Sequence, residues 1–327
     1  MRTSRREFLK GAAAGLAVAG LGGIRAAPAI AQPVSVKIGT AVLGDYALAA
    51  PVFIGIEKGF FKTHGLNAEF IPFRGGPDLL KAVVAGEVLL GISGSTDVLV
   101  FREAGTPIRA VASTTDGNHF TLNVAPEITR VADLKGKTIG VTRVGATTWI
   151  FARMLAKREG WDPERDVKIV ALGGMDAQLA AMARGEAQAF VWGDGGSVVE
   201  VQGKGKILLR LDEVTPKWIS QLAYATEDAI RGKGDLIRRG LQGIFQAIRF
   251  MKAHPDEAAK LGAKHLRWPE EAVRLAHKLS GPLLPADGRI DLEALRVMQD
   301  TLLEQGVIKK RLPLEEHYTT EFTPVRV

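Results

Sequence analysis

Small residues, hydroxyls and aspartates gather in seven short stretches of this chain, a combination suited to holding a small polar molecule. The stretches are Gly44-Asp45-Tyr46, Arg74-Gly75-Gly76, Ser93-Gly94-Ser95-Thr96, Thr114-Thr115-Asp116, Gly145-Ala146-Thr147-Thr148, Gly173-Gly174-Met175-Asp176 and Trp192-Gly193-Asp194. Glycine lets a ligand come close to the backbone, and hydroxyls supply uncharged hydrogen bonds. The candidate ligand contacts are Asp45, Tyr46, Arg74, Gly75, Gly76, Ser95, Thr96, Thr115, Asp116, Gly145, Ala146, Thr147, Thr148, Trp192 and Asp194. Helix N-termini at Gly76, Thr96 and Thr147 would favour an anion, with Arg74 and Arg143 adding charge-assisted bonds. Asp45, Asp97, Asp116 and Asp194 pull the other way, towards an amine-bearing ligand, unless they serve as helix caps and turn formers. The balance adopted is a small organic anion such as a sulfonate, with Tyr46 and Trp192 available to stack on it.

Residue types that would do bond-breaking chemistry are scattered. The six histidines, His64, His119, His254, His265, His277 and His317, have no paired-ligand spacing, and neither a nucleophile elbow nor a phosphate-binding loop is present. There is no cysteine, which excludes disulfides, thiolate metal sites and thiol nucleophiles. No catalytic residue, metal ligand or cofactor is therefore assigned. His119 is singled out for its place near an expected chain crossing.

The elements that must carry these loops follow from periodicity. The clearest unit runs from Ala132 to Arg153: a capped turn, an apolar strand from Thr138 to Thr142, the loop Gly145 to Thr148, then helical spacing from Trp149. Such a strand, loop and helix junction aims unpaired backbone N–H groups beyond the strand's end. Earlier in the chain, strands are expected at Val34 to Val42, Ala68 to Phe73, Val88 to Ile92 and Ile108 to Ser113. Helices between them include one from Pro51 to Lys58 and one from Leu79 to Ala85. The pattern recurs with a constant shift of about 99 residues. It pairs Gly75 with Gly174, Gly86 with Gly185, Glu87 with Glu186 and Gly94 with Gly193. Alternating strands and helices of this kind imply α/β architecture, with two parallel-rich, doubly wound sheets. After Ala225 the sequence reads as helices, taken as cover for the first unit and hinge.

At 327 residues and 46% apolar, the chain is long enough for two such units. Its net charge of +7 falls to +3 outside the first 31 residues, which is no nucleic-acid signature. Those first residues carry Arg5-Arg6-Glu7-Phe8-Leu9-Lys10, a Gly/Ala-rich apolar run, and Ala29-Ile30-Ala31. They resemble a twin-arginine export signal cleaved after Ala31, which implies the twin-arginine translocase as a transient partner and a periplasmic destination.

Lys58-Gly59-Phe60-Phe61-Lys62-Thr63-His64-Gly65-Leu66 resembles a segment of ABC-transporter substrate-binding proteins of the nitrate, sulfonate, taurine and pyrimidine-precursor type. Phe73-Arg74-Gly75-Gly76, Ala85-Gly86-Glu87-Val88 and Ala132 to Val141 fall in that family's order, over residues 34 to 225. Departures are Leu89, where the family often has Asp, and Gly193 after Trp192, where it often has an acidic residue and proline. The resemblance implies a two-lobed periplasmic-binding-protein fold (type II) with two hinge crossovers: residues 32–118 and 223–327 in lobe 1, and 119–222 in lobe 2. It also implies a monomer, a small-molecule solute trapped between lobes and an inner-membrane ABC permease as partner. Alternatives within the resemblance are a binder of a pyrimidine or thiamine precursor, or a pyrimidine-precursor-synthase-like enzyme.

Overall fold

The computed structural model describes residues 32–327; the export signal and the cleavage after Ala31 lie outside the described residues. From Pro33 onwards two five-stranded sheets share one architecture. In the first, β1 (Val34–Thr40), β2 (Leu66–Pro72), β3 (Leu90–Gly94), β4 (Ile108–Asp116) and β10 (Ile219–Thr226) lie in the order β2-β1-β3-β10-β4. In the second, β5 (Thr121–Val124), β6 (Thr138–Val141), β7 (Lys168–Ala171), β8 (Ala189–Trp192) and β9 (Lys206–Arg210) lie in the order β7-β6-β8-β5-β9. Both are parallel except at the fourth position. There β10 runs antiparallel to β3 and β4, and β5 antiparallel to β8 and β9. Each odd strand therefore belongs to a stretch of chain that has just crossed from the other sheet.

The helices complete the match. α1 (Tyr46–Glu57), α2 (Phe60–Thr63), α3 (Gly76–Val84) and α4 (Ser95–Glu103) serve the first sheet; α5 (Thr147–Arg158), α6 (Met175–Ala183) and α7 (Gly196–Val201) serve the second. α3 and α6 begin and end 99 residues apart, as the internal repeat requires. Both stop on the same device: Gly86 and Gly185 have φ of 74° and 70°. Beside them Glu87 and Glu186 donate their N–H back to Ala82 and Ala181. A left-handed residue there favours glycine.

α1 differs from its expected bounds. Pro51 lies inside it rather than at its start, because Asp45 accepts the Leu48 N–H at 3.1 Å and caps the helix five residues earlier. Burial from Tyr46 to Gly55 compensates the hydrogen bond that proline cannot make. α8 (Glu227–Ala253), α9 (Pro255–Leu266), α10 (Glu270–Ser280) and α11 (Leu292–Glu304) follow β10. The chain then returns to the edge of the first sheet, where Ala110 bonds His317 and Thr319. Among the described residues no helix is long and apolar enough to cross a membrane.

Two segments carry the chain between sheets, Gly117 to Phe120 and Leu211 to Trp218, and they are tied together. The Asn118 amide donates to the Thr215 hydroxyl at 2.6 Å, and the His119 N–H to the Ser220 hydroxyl at 2.8 Å. Phe151 packs between Phe120 and Trp218, with ring centroids 5.1 and 5.5 Å away.

Candidate functional site

The carboxyl ends of the parallel strands in both sheets point into one cleft, where ligands of open α/β sheets bind. A cavity of about 30 Å³ lies there, lined from the first sheet's side by Asp45, Leu48, Gly75, Gly76, Gly94 and Asp97. Thr142, Ala146, Thr147, Thr148, Trp192 and Gly193 line it from the second, and Phe120 and Gln221 from the crossing strands. That volume holds roughly two water molecules. An organic solute therefore needs more room than the cavity offers in this arrangement. A larger groove, of about 640 Å³, runs past Lys37, Glu69, Glu87 and Lys233 at the other ends of the strands. The helix N-terminus fronting it, that of α8, is already capped by the Thr226 hydroxyl, and the groove lies away from the carboxyl ends of the parallel strands, so size alone does not make it the better candidate.

Two carboxylates hold the cleft shut by capping helices of the opposite sheet. Asp194, in the turn between β8 and α7, accepts the N–H groups of Tyr46 and Ala47 at 2.7 and 2.8 Å and the Ser280 hydroxyl at 3.1 Å. With Asp45 on Leu48, the first turn of α1 is thereby fully answered. Reciprocally, Asp97 on α4 accepts the Thr147 N–H at 2.9 Å and its hydroxyl at 3.0 Å, at the start of α5. Further ties are the hydroxyl pair Thr96–Thr147 at 2.6 Å, the Trp192 indole N–H on the Gly44 carbonyl at 2.5 Å, and Arg143 on Asp78 at 3.1 Å. Burial pushes the Asp97 carboxyl up to about 7 against the Thr147 bonds. Burial and then the Asp45 charge push Asp194 up to about 7.

Behind the cavity His119 Nε2 meets Asp45 at 3.1 Å. Burial would lower this imidazole's pKa, but attraction to Asp45 outweighs it and the pKa is raised. Gln221, held by the Thr115 hydroxyl at 2.6 Å, turns its amide nitrogen towards Asp45 at 3.4 Å and His119 at 3.2 Å. Among the described residues Asp45, His119 and Asp194 bring donor atoms within 4.8 Å of one another, as a metal site would need. Their carboxylates are already engaged by α1 amides, which an ion would have to displace.

Of the fifteen sequence candidates, Asp45, Gly75, Gly76, Ala146, Thr147, Thr148 and Trp192 line the cavity. Asp194 and Thr96 lie beside it as cross-cleft ties. The other six do not face it. Tyr46 turns into the first unit's core, where its hydroxyl meets His277 Nδ1 at 3.0 Å; burial and Asp194 raise its pKa. Ser95 is spent on the Ile219 carbonyl, Thr115 on Gln221 and Asp116 on the Ser113 hydroxyl. Arg74 is exposed, and Gly145 forms the turn before α5 with φ of 79°. Sequence reasoning missed Phe120 and Gln221 as lining residues, since both sit in apolar crossing stretches without a loop signature. It read Asp97 as a cap without finding that the capped helix belongs to the other sheet.

The family model described as NMT1/THI5 like matches residues 48–258, more than half of the chain. The chain belongs to the NMT1/THI5-like family. This family member is 29% identical to the taurine-binding periplasmic protein of Escherichia coli (strain K12) over 256 residues, which is 77% of this chain and 74% of that one. The alkanesulfonate-binding protein SsuA from Xanthomonas axonopodis pv. citri, solved bound to MOPS, superimposes with a TM-score of 0.71 at 21% identity. That match covers 87% of this chain and 98% of that one. The 4-amino-5-hydroxymethyl-2-methylpyrimidine phosphate synthase THI12 of Saccharomyces cerevisiae is 24% identical over 229 residues, 64% of this chain and 65% of its own. The fold is that of two-lobed periplasmic binding proteins, as the sequence implied.

Proposed function

We propose that this NMT1/THI5-like protein is an extracytoplasmic solute-binding component that traps a small organic anion, sulfonate-like, in the cleft and hands it to an inner-membrane ABC permease. The observation that carries this reading is the cross-cleft capping: helix N-termini of one sheet are answered by carboxylates of the other. Each such N-terminus is an anion site, and a solute's acid group entering the cleft would compete for it. The names of the taurine- and alkanesulfonate-binding relatives support the same class.

In this reading residues 32–118 with 219–327 and residues 119–218 are the two lobes, the boundary moving from 222 because all of β10 pairs within the first sheet, and they rotate about the tied crossing segments. Twin-arginine export, cleavage after Ala31 and a monomeric mature protein belong to the same proposal. The chain acts as a carrier rather than a catalyst: His119, the histidine nearest the cleft, is engaged with Asp45. An amine-bearing solute, such as a pyrimidine precursor, is the second reading; the cavity-lining carboxylates Asp45 and Asp97 favour it.

A thermal-shift screen against sulfonates, nitrate, carboxylates, alkylamines and pyrimidines tests both. A ligand at a hundredfold its Kd adds about 2.7 kcal/mol to stability. Shifts with sulfonates support the first reading, and shifts confined to amines or pyrimidines replace it with the second. Turnover of a pyrimidine precursor would overturn the carrier reading.

A further inference from the structure

One loop that the sequence singles out, Gly173-Gly174-Met175-Asp176, contributes nothing to the cavity wall. Its Met175, the first residue of α6, instead sits across the cleft in a socket made by two glycines. A Cβ added to Gly44, on the first sheet's side, would lie 2.8 Å from Met175 Cβ, and one added to Gly195 would overlap Met175 Cε. The Trp268 ring borders the same spot at Gly44, and the Trp192 ring borders the one at Gly195. Only bare backbone at both glycines admits the thioether, and the residue is left 4% exposed.

The socket has no place for a further polar atom. Its walls are glycine backbone and two indoles, and the Trp192 indole N–H is already donated to the Gly44 carbonyl. Oxidation would turn the apolar thioether into a polar sulfoxide, and burying a polar group without a partner is costly. Because the socket draws on both sides of the cleft, parting the sheets bares the sulfur.

We propose that Met175 is a site of oxidative modification: a peroxide converts its thioether to the sulfoxide when the sheets part, and the sulfoxide, barred from the socket, holds the cleft open. The inference rests on the reading that a solute binds in this cleft and that the two units move about their crossings. In the reaction the sulfur lone pair forms an S–O bond as the peroxide O–O bond breaks. Sulfur gives up two electrons, and the second peroxide oxygen leaves as water with both protons. A methionine sulfoxide reductase reverses the change.

Peptide mass spectrometry of the purified chain during hydrogen peroxide treatment reads the site. Met175 is 4% exposed against 8% for Met154 and 7% for Met182, so exposure in the closed arrangement ranks it last of the three. It is nevertheless expected to oxidise at least about threefold faster than either, and faster still in Asp194→Ala, which loses a cross-cleft tie. Small-angle scattering should show the radius of gyration growing in step with the Met175 sulfoxide and returning after a methionine sulfoxide reductase with dithiothreitol. In Met175→Leu, peroxide should leave the radius unchanged. Oxidation of Met175 no faster than of Met154 and Met182, or a Met175 sulfoxide without a change in radius, overturns the oxidation site and leaves the solute-binding reading standing. Preferential oxidation with expansion, but no melting shift from ethanesulfonate, taurine, propylamine or cytosine, supports the oxidation site and overturns the solute-binding reading alone.

Discussion

The Asp194 carboxylate accepts the backbone N–H of Tyr46 at 2.7 Å, joining residues 148 positions apart and on opposite sheets. A helix cap is ordinarily local, supplied by the residue just before the helix. Here the cap crosses the cleft, so forming it and closing the protein are one event. The Asp97–Thr147 contact is its counterpart in the other direction.

Asp194→Ala removes the acceptor of two α1 amides and of the Ser280 hydroxyl. Loss of a cap costs about 0.5–2 kcal/mol. The melting temperature is expected to fall by a few degrees. Small-angle scattering should show a larger radius of gyration, because the lobes lose a tie. A lower melting temperature with unchanged dimensions would mean that the residue caps α1 without controlling closure.

Gly193→Ala tests closure sterically. An added Cβ would lie 2.1 Å from Asp45 Oδ2 and 2.5 Å from His119 Nε2, positions no side chain can share. Asp45 comes from the other side of the cleft, whereas His119 lies in the crossing segment next to β5 of the same sheet as Gly193. Solute affinity is expected to drop at least about tenfold, with the melting temperature changed by a few degrees. Retained affinity would mean that the ligand is held with the sheets further apart at this point.

Much of this arrangement is legible in the chain itself. The shift of 99 residues holds between α3 and α6, because glycine caps and apolar phase are local signals, although α3 runs from Gly76 to Val84 rather than the expected Leu79 to Ala85. The loops at strand ends were legible for the same reason, and nine of their residues line the cavity. Two kinds of residue were not. Gln221 faces the cleft from inside β10, and nothing in a strand's alternation tells which polar side chain a fold-level crossing will turn inward. Tyr46 and Thr115 sit in the right loops with the wrong heading, because the partners that claim them, His277 and Gln221, are more than a hundred residues away.

Thr147 and Thr148 separate closure from folding. The Thr147 hydroxyl reaches across the cleft to Thr96 and Asp97, whereas the Thr148 hydroxyl stays within its own unit, meeting the Thr142 N–H at 3.0 Å and its hydroxyl at 2.9 Å. Thr148→Ala is expected to cost about 1 kcal/mol in urea denaturation, the usual value of a buried hydrogen bond. Thr147→Ala should chiefly weaken solute binding by calorimetry. Affinity unchanged in Thr147→Ala would remove the α5 N-terminus from the site.

The pH dependence of stability follows from the same carboxylates. Asp97 and Asp194, raised from 3.8 to about 7, hold protons in the folded chain that the unfolded chain has already released. Where the folded state binds more protons, stability falls as pH rises. The contribution is therefore intact near pH 4, declines between about pH 4 and 7, and is fully lost above. His119, with its pKa also raised, adds stability that is lost as pH climbs past its usual 6.5 and through its higher folded value, so its slope has the same sign. Asp97→Asn deletes one of the three groups while keeping an oxygen for Thr147. Urea denaturation should find the variant more stable than the parent at about pH 7.5, on the order of 1 kcal/mol, and nearly equal to it at about pH 4.5. A parent whose stability instead rises from about pH 5 to 7, with a slope Asp97→Asn leaves untouched, would mean that Asp97 is ionised throughout and already has its cation.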